Sequence, residues 1–246
     1  MRFQVIYYVF VSVVAVGLGS SGTLSWAACG DLDNSGAVVA TDALLALRRA
    51  VGQSVTLVCP LGETGQTTVF GPGSDGDVRA GAPLSYTDNG DGTITDNNTG
   101  LMWEKKDDSG GIHDKDNTYT WTAGGNNMDG TMVTVFLDTL NDVAGGGANC
   151  FAGHCDWRIP NLRELLSIVH YGALSPSVDP AFHQAATCTG CTDVTLASCS
   201  CTASSFYWPS STTGFNPGKV WEVGFGNGGM SNDFKGFPNP VRAVRG

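Results

Sequence analysis

Residues 31–42 read Asp-Leu-Asp-Asn-Ser-Gly-Ala-Val-Val-Ala-Thr-Asp, a series of oxygen donors suited to a hard cation. Asp31, Asp33 and Ser35 fall where an EF-hand loop places its first three ligands. Gly36 permits the sharp turn, Ala37 offers its backbone carbonyl, and Asp42 closes the loop. Calcium is the cofactor these residues imply. The second chemistry-bearing set is the eight cysteines: Cys29, Cys59, Cys150, Cys155, Cys188, Cys191, Cys199 and Cys201. Their even number suits disulfides in an oxidising compartment. Cys29 with Cys59, and Cys150 with Cys155, each bracket a short segment. The last four stand as C-x-x-C and C-x-C, a spacing that also suits tetrahedral zinc. No histidine lies inside that cluster, and oxidation competes with metal binding outside the cytosol, so disulfides are favoured.

The remaining polar groups do not assemble a catalytic constellation. The four histidines, His113, His154, His170 and His183, show no metal-binding spacing. There is no Gly-x-Ser-x-Gly elbow and no phosphate-binding glycine loop between a strand and a helix. Asp107 and Asp108 sit in a polar stretch that reads as solvated loop. The expectation is therefore a protein that binds rather than catalyses. Aromatic residues provide the means, because ring faces stack on apolar surfaces. Tyr119 and Trp121, with Asn126, Asn127 and Asp129, lie in a loop and are the candidate ligand contacts.

These groups need elements to hold them. The chain has 246 residues, 13 Lys and Arg against 23 Asp and Glu, and a formal charge of −10. That length allows one or two domains. The acidic balance argues against nucleic acid as a partner, since phosphate binding needs basic surfaces. Residues 1–27 have the layout of a secretory signal peptide, with Arg2 followed by an apolar run and small residues. Its removal takes away one positive charge. The expected location is outside the cytoplasm: secreted, periplasmic or at a bacterial cell surface, with no transmembrane segment after cleavage.

After the calcium loop, Leu44, Leu47, Ala50 and Val51 share one helical face. Residues 61–83 are rich in Gly, Pro, Ser and Thr and read as a flexible linker. From residue 84 the pattern changes. Leu84–Asp88, Thr93–Thr95 and Leu101–Glu104 read as strands, with Asn89-Gly90-Asp91-Gly92 as a hairpin turn. Val133–Val143 reads as a helix, and Pro160 opens a second with Leu162, Leu165, Leu166 and Val169 as its apolar stripe. Phe206–Trp208, Val220–Phe225 and Val241–Arg245 return to strands, and alternation in the second of these suggests one buried face. Short antiparallel strands and two helices make an α+β domain.

Two resemblances follow from these residues. GDLDNSGAVVATDALLALRRAVG resembles one repeat of a type I dockerin. Dockerins carry two repeats, bind calcium and dock onto cohesins. The single repeat at 28–60, with Cys29 and Cys59 as its staple, implies calcium binding without cohesin docking. The larger segment resembles the Lcl C-terminal domain family, named for a collagen-like bacterial adhesin. YTDNGDGTITDNNTGLMWEK, CDWRIPNLRELLSIV, VDPAF, YWPSS, VWEVGFGNG and VRAVRG occur in order and cover nearly all of 84–246. Pro209 stands where a serine is usual, and a Cys-rich insertion occupies 183–205. The resemblance, with likeness to sulfatase-modifying-factor and C-type-lectin-like domains, implies a compact, loop-rich fold whose core is built by Trp103, Trp157, Trp208 and Trp221, the tryptophans inside those motifs. It also implies an exported recognition or adhesion module. The adhesin binds sulfated glycosaminoglycans through positive charge, whereas this chain is acidic, so a neutral glycan or a surface protein is the expected partner. The alternatives are a structural surface or assembly subunit, or a dockerin-like component of a polysaccharide-degrading assembly.

Overall fold

The turn Asn89–Gly92 closes the first hairpin through local chemistry. Asp88 Oδ1 accepts from Gly90 N at 2.9 Å, Asp91 Oδ1 accepts from Thr93 N at 3.0 Å, and Gly90 and Gly92 take φ of 74° and 93°. Those angles favour glycine. In this computed structural model, residues 61–246 are described. The expected leader 1–27, the cation ligands Asp31, Asp33, Ser35, Ala37 and Asp42, and the Cys29–Cys59 pair lie outside the described residues.

The hairpin joins β1 (Tyr86–Asp88) to β2 (Thr93–Asp96). β3 (Met102–Glu104) follows β2, and the C-terminal β9 (Val244–Arg245) pairs with β3 to give a sheet of order β1-β2-β3-β9. β4 (Tyr119–Thr120) pairs with β8 (Pro238–Asn239). β5 (Phe206–Tyr207), β6 (Lys219–Gly224) and β7 (Gly229–Phe234) form a third sheet in that order. All named strand pairings are antiparallel. Short antiparallel strands and few helices bear out the α+β expectation.

Three details differ from the sequence reading. Residues 61–83 hold a short helix, α1 (Asp75–Val78), and a parallel bridge between Gly62 and Ala82. Tyr171 N donates to Thr64 O at 2.7 Å, so this segment lies against the domain. Its glycines and prolines make turns here, rather than an open chain. The helix expected at 133–143 is a π-helical segment, Met132–Leu137, running into α2 (Asp138–Leu140). It stops early because Asp142 takes a left-handed φ of 48°. β6 buries residues on both faces rather than one. Val220 enters one hydrophobic cluster, with Trp121, Phe136, Trp157 and Trp208, while Val223 enters a second, with Trp103, Leu165 and Tyr207.

Helix α3 (Leu162–Ser167) is capped by Asn161, one residue after the Pro160 at which the sequence reading opens it. Asn161 Oδ1 accepts from Arg163 N and Glu164 N, and Glu164 Oε2 accepts from Asn161 N at 2.7 Å, a reciprocal capping box. Glu164 also takes both guanidinium nitrogens of Arg158 at 2.8 Å each. The Arg158 backbone meanwhile exchanges two hydrogen bonds with Val244, tying the helix start to β9. Replacing Asn161 by Ala is expected to cost about 1 kcal/mol, the usual value of an N-cap. A urea midpoint unchanged within error would show the cap to be dispensable.

Cys150 pairs with Cys155, as expected. Cys188 pairs with Cys201 and Cys191 with Cys199, nesting one bridge inside the other. No described cysteine is free, so the thiolates needed for zinc are consumed. The nested pair joins the core through Cys201, whose N–H donates to Lys106 O at 2.9 Å and whose carbonyl accepts from Arg242 at 2.9 Å.

A buried charge network locks β3 to the C-terminal segment. Glu104 is fully buried, and its Oε2 accepts from Ala243 N at 3.1 Å. His113 Nδ1 lies 2.8 Å and Lys106 Nζ 3.0 Å from its Oε1. The Lys106 contact is electrostatic, because the ammonium makes no well-directed hydrogen bond there; it also stands 4.4 Å from the Phe136 ring centre. Arg242 donates to the Glu104, Cys201 and Thr202 oxygens at 2.7, 2.9 and 2.8 Å. Burial opposes ionisation of Glu104. Lys106, the His113 hydrogen bond and the Ala243 N–H nevertheless hold its carboxyl below the usual range.

Candidate functional site

Of the five residues expected to contact ligand, Tyr119 and Trp121 do not reach the surface. They are 6% and 4% exposed. The reason is strand pairing: Tyr119 lies opposite Asn239, and Trp121 N donates to Lys235 O at 3.1 Å, which carries both rings into the core. Tyr119 packs against Phe136 at 5.2 Å between ring centres. Trp121 Nε1 donates to Pro209 O at 3.0 Å, and Lys235 Nζ covers its ring at 4.0 Å. These two rings support the loop 123–129 from beneath.

Asn126, Asn127 and Asp129 are exposed on that loop. Lys235 Nζ, reaching up from the Trp121 ring, donates to Asn126 O at 2.9 Å. Asp129 Oδ1 closes the loop by accepting from Ala123 N at 2.9 Å and Thr122 Oγ1 at 3.1 Å. Those bonds, the backbone one foremost, hold its carboxyl below the usual carboxylate range. Asp129 shapes the loop, which leaves the amides of Asn126 and Asn127 as the groups presented outward.

Beside this loop the structure exposes a different set of rings. Phe215, Phe234 and Phe237 are 69%, 52% and 54% exposed. The register explains their placement. On β7, Asn232 and Phe234 share a face, opposite Trp221 and Lys219 of β6. Phe215 meets the half-buried Trp221 edge-on at 6.3 Å, and Phe234 meets Phe237 at 6.4 Å. Lys219 Nζ lies 4.8 Å from the Phe234 ring centre and donates to Asn232 Oδ1 at 3.2 Å. The strip continues into the loop 123–129 at Gly218, whose carbonyl accepts from Lys235 N at 3.2 Å. A side chain on Gly218 would come within 4.0 Å of Asn126 Oδ1. The result is a strip of two edge-on aromatic pairs with amide and ammonium groups beside them.

The sequence reading placed Trp221 in the core and did not single out the three phenylalanines. Residues 229–234, Gly-Met-Ser-Asn-Asp-Phe, carry little apolar signal, so β7 went unseen. The available clue was period two, with Met230, Asn232 and Phe234 on one side.

Among the described residues, Asp108, Asp114 and Asp116 bring their ligand atoms within 4.8 Å of one another, a group that could hold a metal ion. Lys115 already places a positive charge there, with Nζ 2.6 Å from both Asp108 Oδ1 and Asp116 Oδ2. Burial works against its ammonium, but the hydrogen bonds to Asp108 and Asp116 carry its pKa above the ordinary lysine range. Asp114 is engaged on both oxygens by Gly110 N and Asp116 N, at 2.6 and 2.8 Å.

Among the described residues no helix is long and apolar enough to cross a membrane. Comparison with curated proteins and with solved structures returned no match. A family model described as the Lcl C-terminal domain matches residues 92–245, from the end of the first hairpin turn to the last residue of β9. The Trp-Arg-Ile-Pro segment, the capped α3, the aromatic strip and the buried Arg242 all fall within that span. Ordered motifs and matched length agree: the chain belongs to the Lcl C-terminal domain family, a domain associated with a bacterial adhesin.

Proposed function

We propose that this protein is an exported, non-catalytic recognition or adhesion module of lectin-like character. Its glycan-contacting surface is the strip formed by Phe215, Trp221, Phe234 and Phe237. One observation carries the reading: the exposed Phe215, Phe234 and Phe237 stand with the half-buried Trp221 as two edge-on pairs, near Asn232, Lys219 and the loop bearing Asn126 and Asn127. Rings of this kind stack on the apolar faces of sugars, and amides take their hydroxyl groups. The acidic chain favours a neutral glycan over a sulfated one, because a polyanion would meet a net repulsive field. Three disulfides among the described residues support an oxidising, extracellular setting. Calcium at Asp31, Asp33, Ser35, Ala37 and Asp42 remains part of this reading as the cation those oxygen donors suit.

The test is a glycan array probed with the secreted chain in about 2 mM calcium, above the roughly 10⁻⁴–10⁻³ M range of extracellular sites, and again in EDTA. Binding to a neutral glycan class is expected. The double variant Phe234→Ala, Phe237→Ala is expected to weaken it about tenfold, since each lost ring contact is worth roughly 0.5–1.5 kcal/mol. Both rings are more than half exposed, so thermal stability should hold. Absence of binding in both conditions would sink the glycan reading. Concentration-dependent self-association that this double variant abolishes would favour an assembly subunit instead.

A further inference from the structure

A concave site is lined by none of the residues of the aromatic strip. It is a cleft of about 590 Å³ between the segment 61–64, the β1–β2 hairpin and α3. That volume lies within the roughly 300–1,000 Å³ typical of small-molecule sites. Leu84 and Tyr86 form one wall; Leu166, Val169 and Tyr171 form the other. The Tyr86 ring is fixed edge-on against Phe182 at 4.9 Å, and its hydroxyl points toward Ser167 O, 3.5 Å away. The segment 61–64 is held across the cleft by the Tyr171 N–H on Thr64 O.

The charges around this apolar slot are unequally engaged. Glu63 pairs with Arg79 at 3.3 Å. Asp96 accepts from Asn98 N at 2.9 Å and Thr99 Oγ1 at 2.7 Å, which commits its carboxylate to the turn. Arg163 is exposed at the rim, and among the described residues its guanidinium forms no ion pair. The capping box fixes its backbone as the second residue of α3. A guanidinium is matched best by a planar carboxylate, which it can grip with two parallel hydrogen bonds.

The geometry points to a ligand site for an apolar carboxylate, with a chain or ring seated among Leu84, Tyr86, Leu166 and Val169 and its carboxylate on Arg163. This goes beyond the glycan reading and does not depend on it. The probes are decanoate, decanol and decylamine, titrated calorimetrically below their micelle concentrations into the full secreted chain. Decanoate is expected to bind most tightly. Arg163→Gln is expected to weaken decanoate at least tenfold and leave decanol unchanged. Tyr171→Ala, at an exposed ring, is expected to weaken both decanoate and decanol. The strip variant Phe234→Ala, Phe237→Ala should bind decanoate as the parent does, so the two sites fail or succeed separately. Three outcomes would overturn the assignment: no binding of any probe, decanoate affinity indifferent to Arg163→Gln, or preference for decylamine. The last would mean that Asp96 and Glu63 dominate the cleft.

Discussion

Glu104→Ala is expected to remove about 3–5 kcal/mol of stability, the usual cost of breaking a buried ion pair. For a domain of this size that is a fall of roughly 10 °C in Tm. The carboxylate faces the Lys106 ammonium as its counter-charge and is the shared acceptor for His113 and the Ala243 N–H. Without it, Lys106 is left with a side chain 2% exposed, no counter-charge on Glu104, and the Phe136 ring as its nearest partner. The Ala243 N–H loses its side-chain acceptor as well, at the point where β3 meets the C-terminal segment. Glu104→Gln keeps the shape and one acceptor oxygen, so its cost is expected to be smaller.

The same pair of variants gives a pH signature. The Glu104 carboxyl is held below its ordinary value in the folded state. Its stabilisation is therefore fully present above the unfolded glutamate pKa, about 4.3, and is lost as pH falls through the lower folded value. The parent should lose stability on that acid limb, and Glu104→Gln should lose less of it. Urea denaturation between neutral and acid pH measures both effects. A Glu104→Ala protein within about 1 kcal/mol of the parent would show that the network contributes little.

Trp121→Ala is expected to be nearly as damaging, at about 3–5 kcal/mol, the range for emptying a large aromatic site in a core. The ring is 4% exposed and packs with Phe136 and Trp157 in one cluster. Its loss would also leave Lys235 Nζ above a cavity, loosening the loop that carries Asn126 and Asn127. Trp121→Phe keeps most of the packing and drops the bond to Pro209 O, which is expected to cost about 1–3 kcal/mol for the unpaired carbonyl. A surface role for Trp121 makes the opposite demand, of unchanged stability with weakened ligand binding. Urea midpoints of the two variants separate these cases.

The contrast between Trp121 and Phe234 shows where sequence reading reaches its end. Each is an aromatic residue in polar, glycine-rich surroundings; the sequence reading puts Trp121 at the surface and passes over Phe234. Which ring is buried depends on which strand lies opposite. Tyr119 pairs with Asn239 far along the chain, and this carries Trp121 inward. Phe234 sits on an edge strand with its face open. Similarly, the cysteine spacing at 188–201 allowed either zinc or disulfides, and only the folded loop decided the nested pairs.

The features legible from sequence by itself were those closed within a few residues: the Asn89–Gly92 turn, a helix start beside Pro160 and the Cys150–Cys155 loop. Each rests on backbone sterics or hydrogen bonds between near neighbours, which the rest of the chain scarcely alters. The ordered motifs likewise identified the family and the α+β class. Tertiary structure alone decided the docking of 61–83, the pairing of β7, the exposed aromatic strip, the place of Arg163 at the cleft rim and the sharing of Glu104. These depend on contacts between distant segments, where burial and satisfied polar groups must outweigh the entropy of closing long loops.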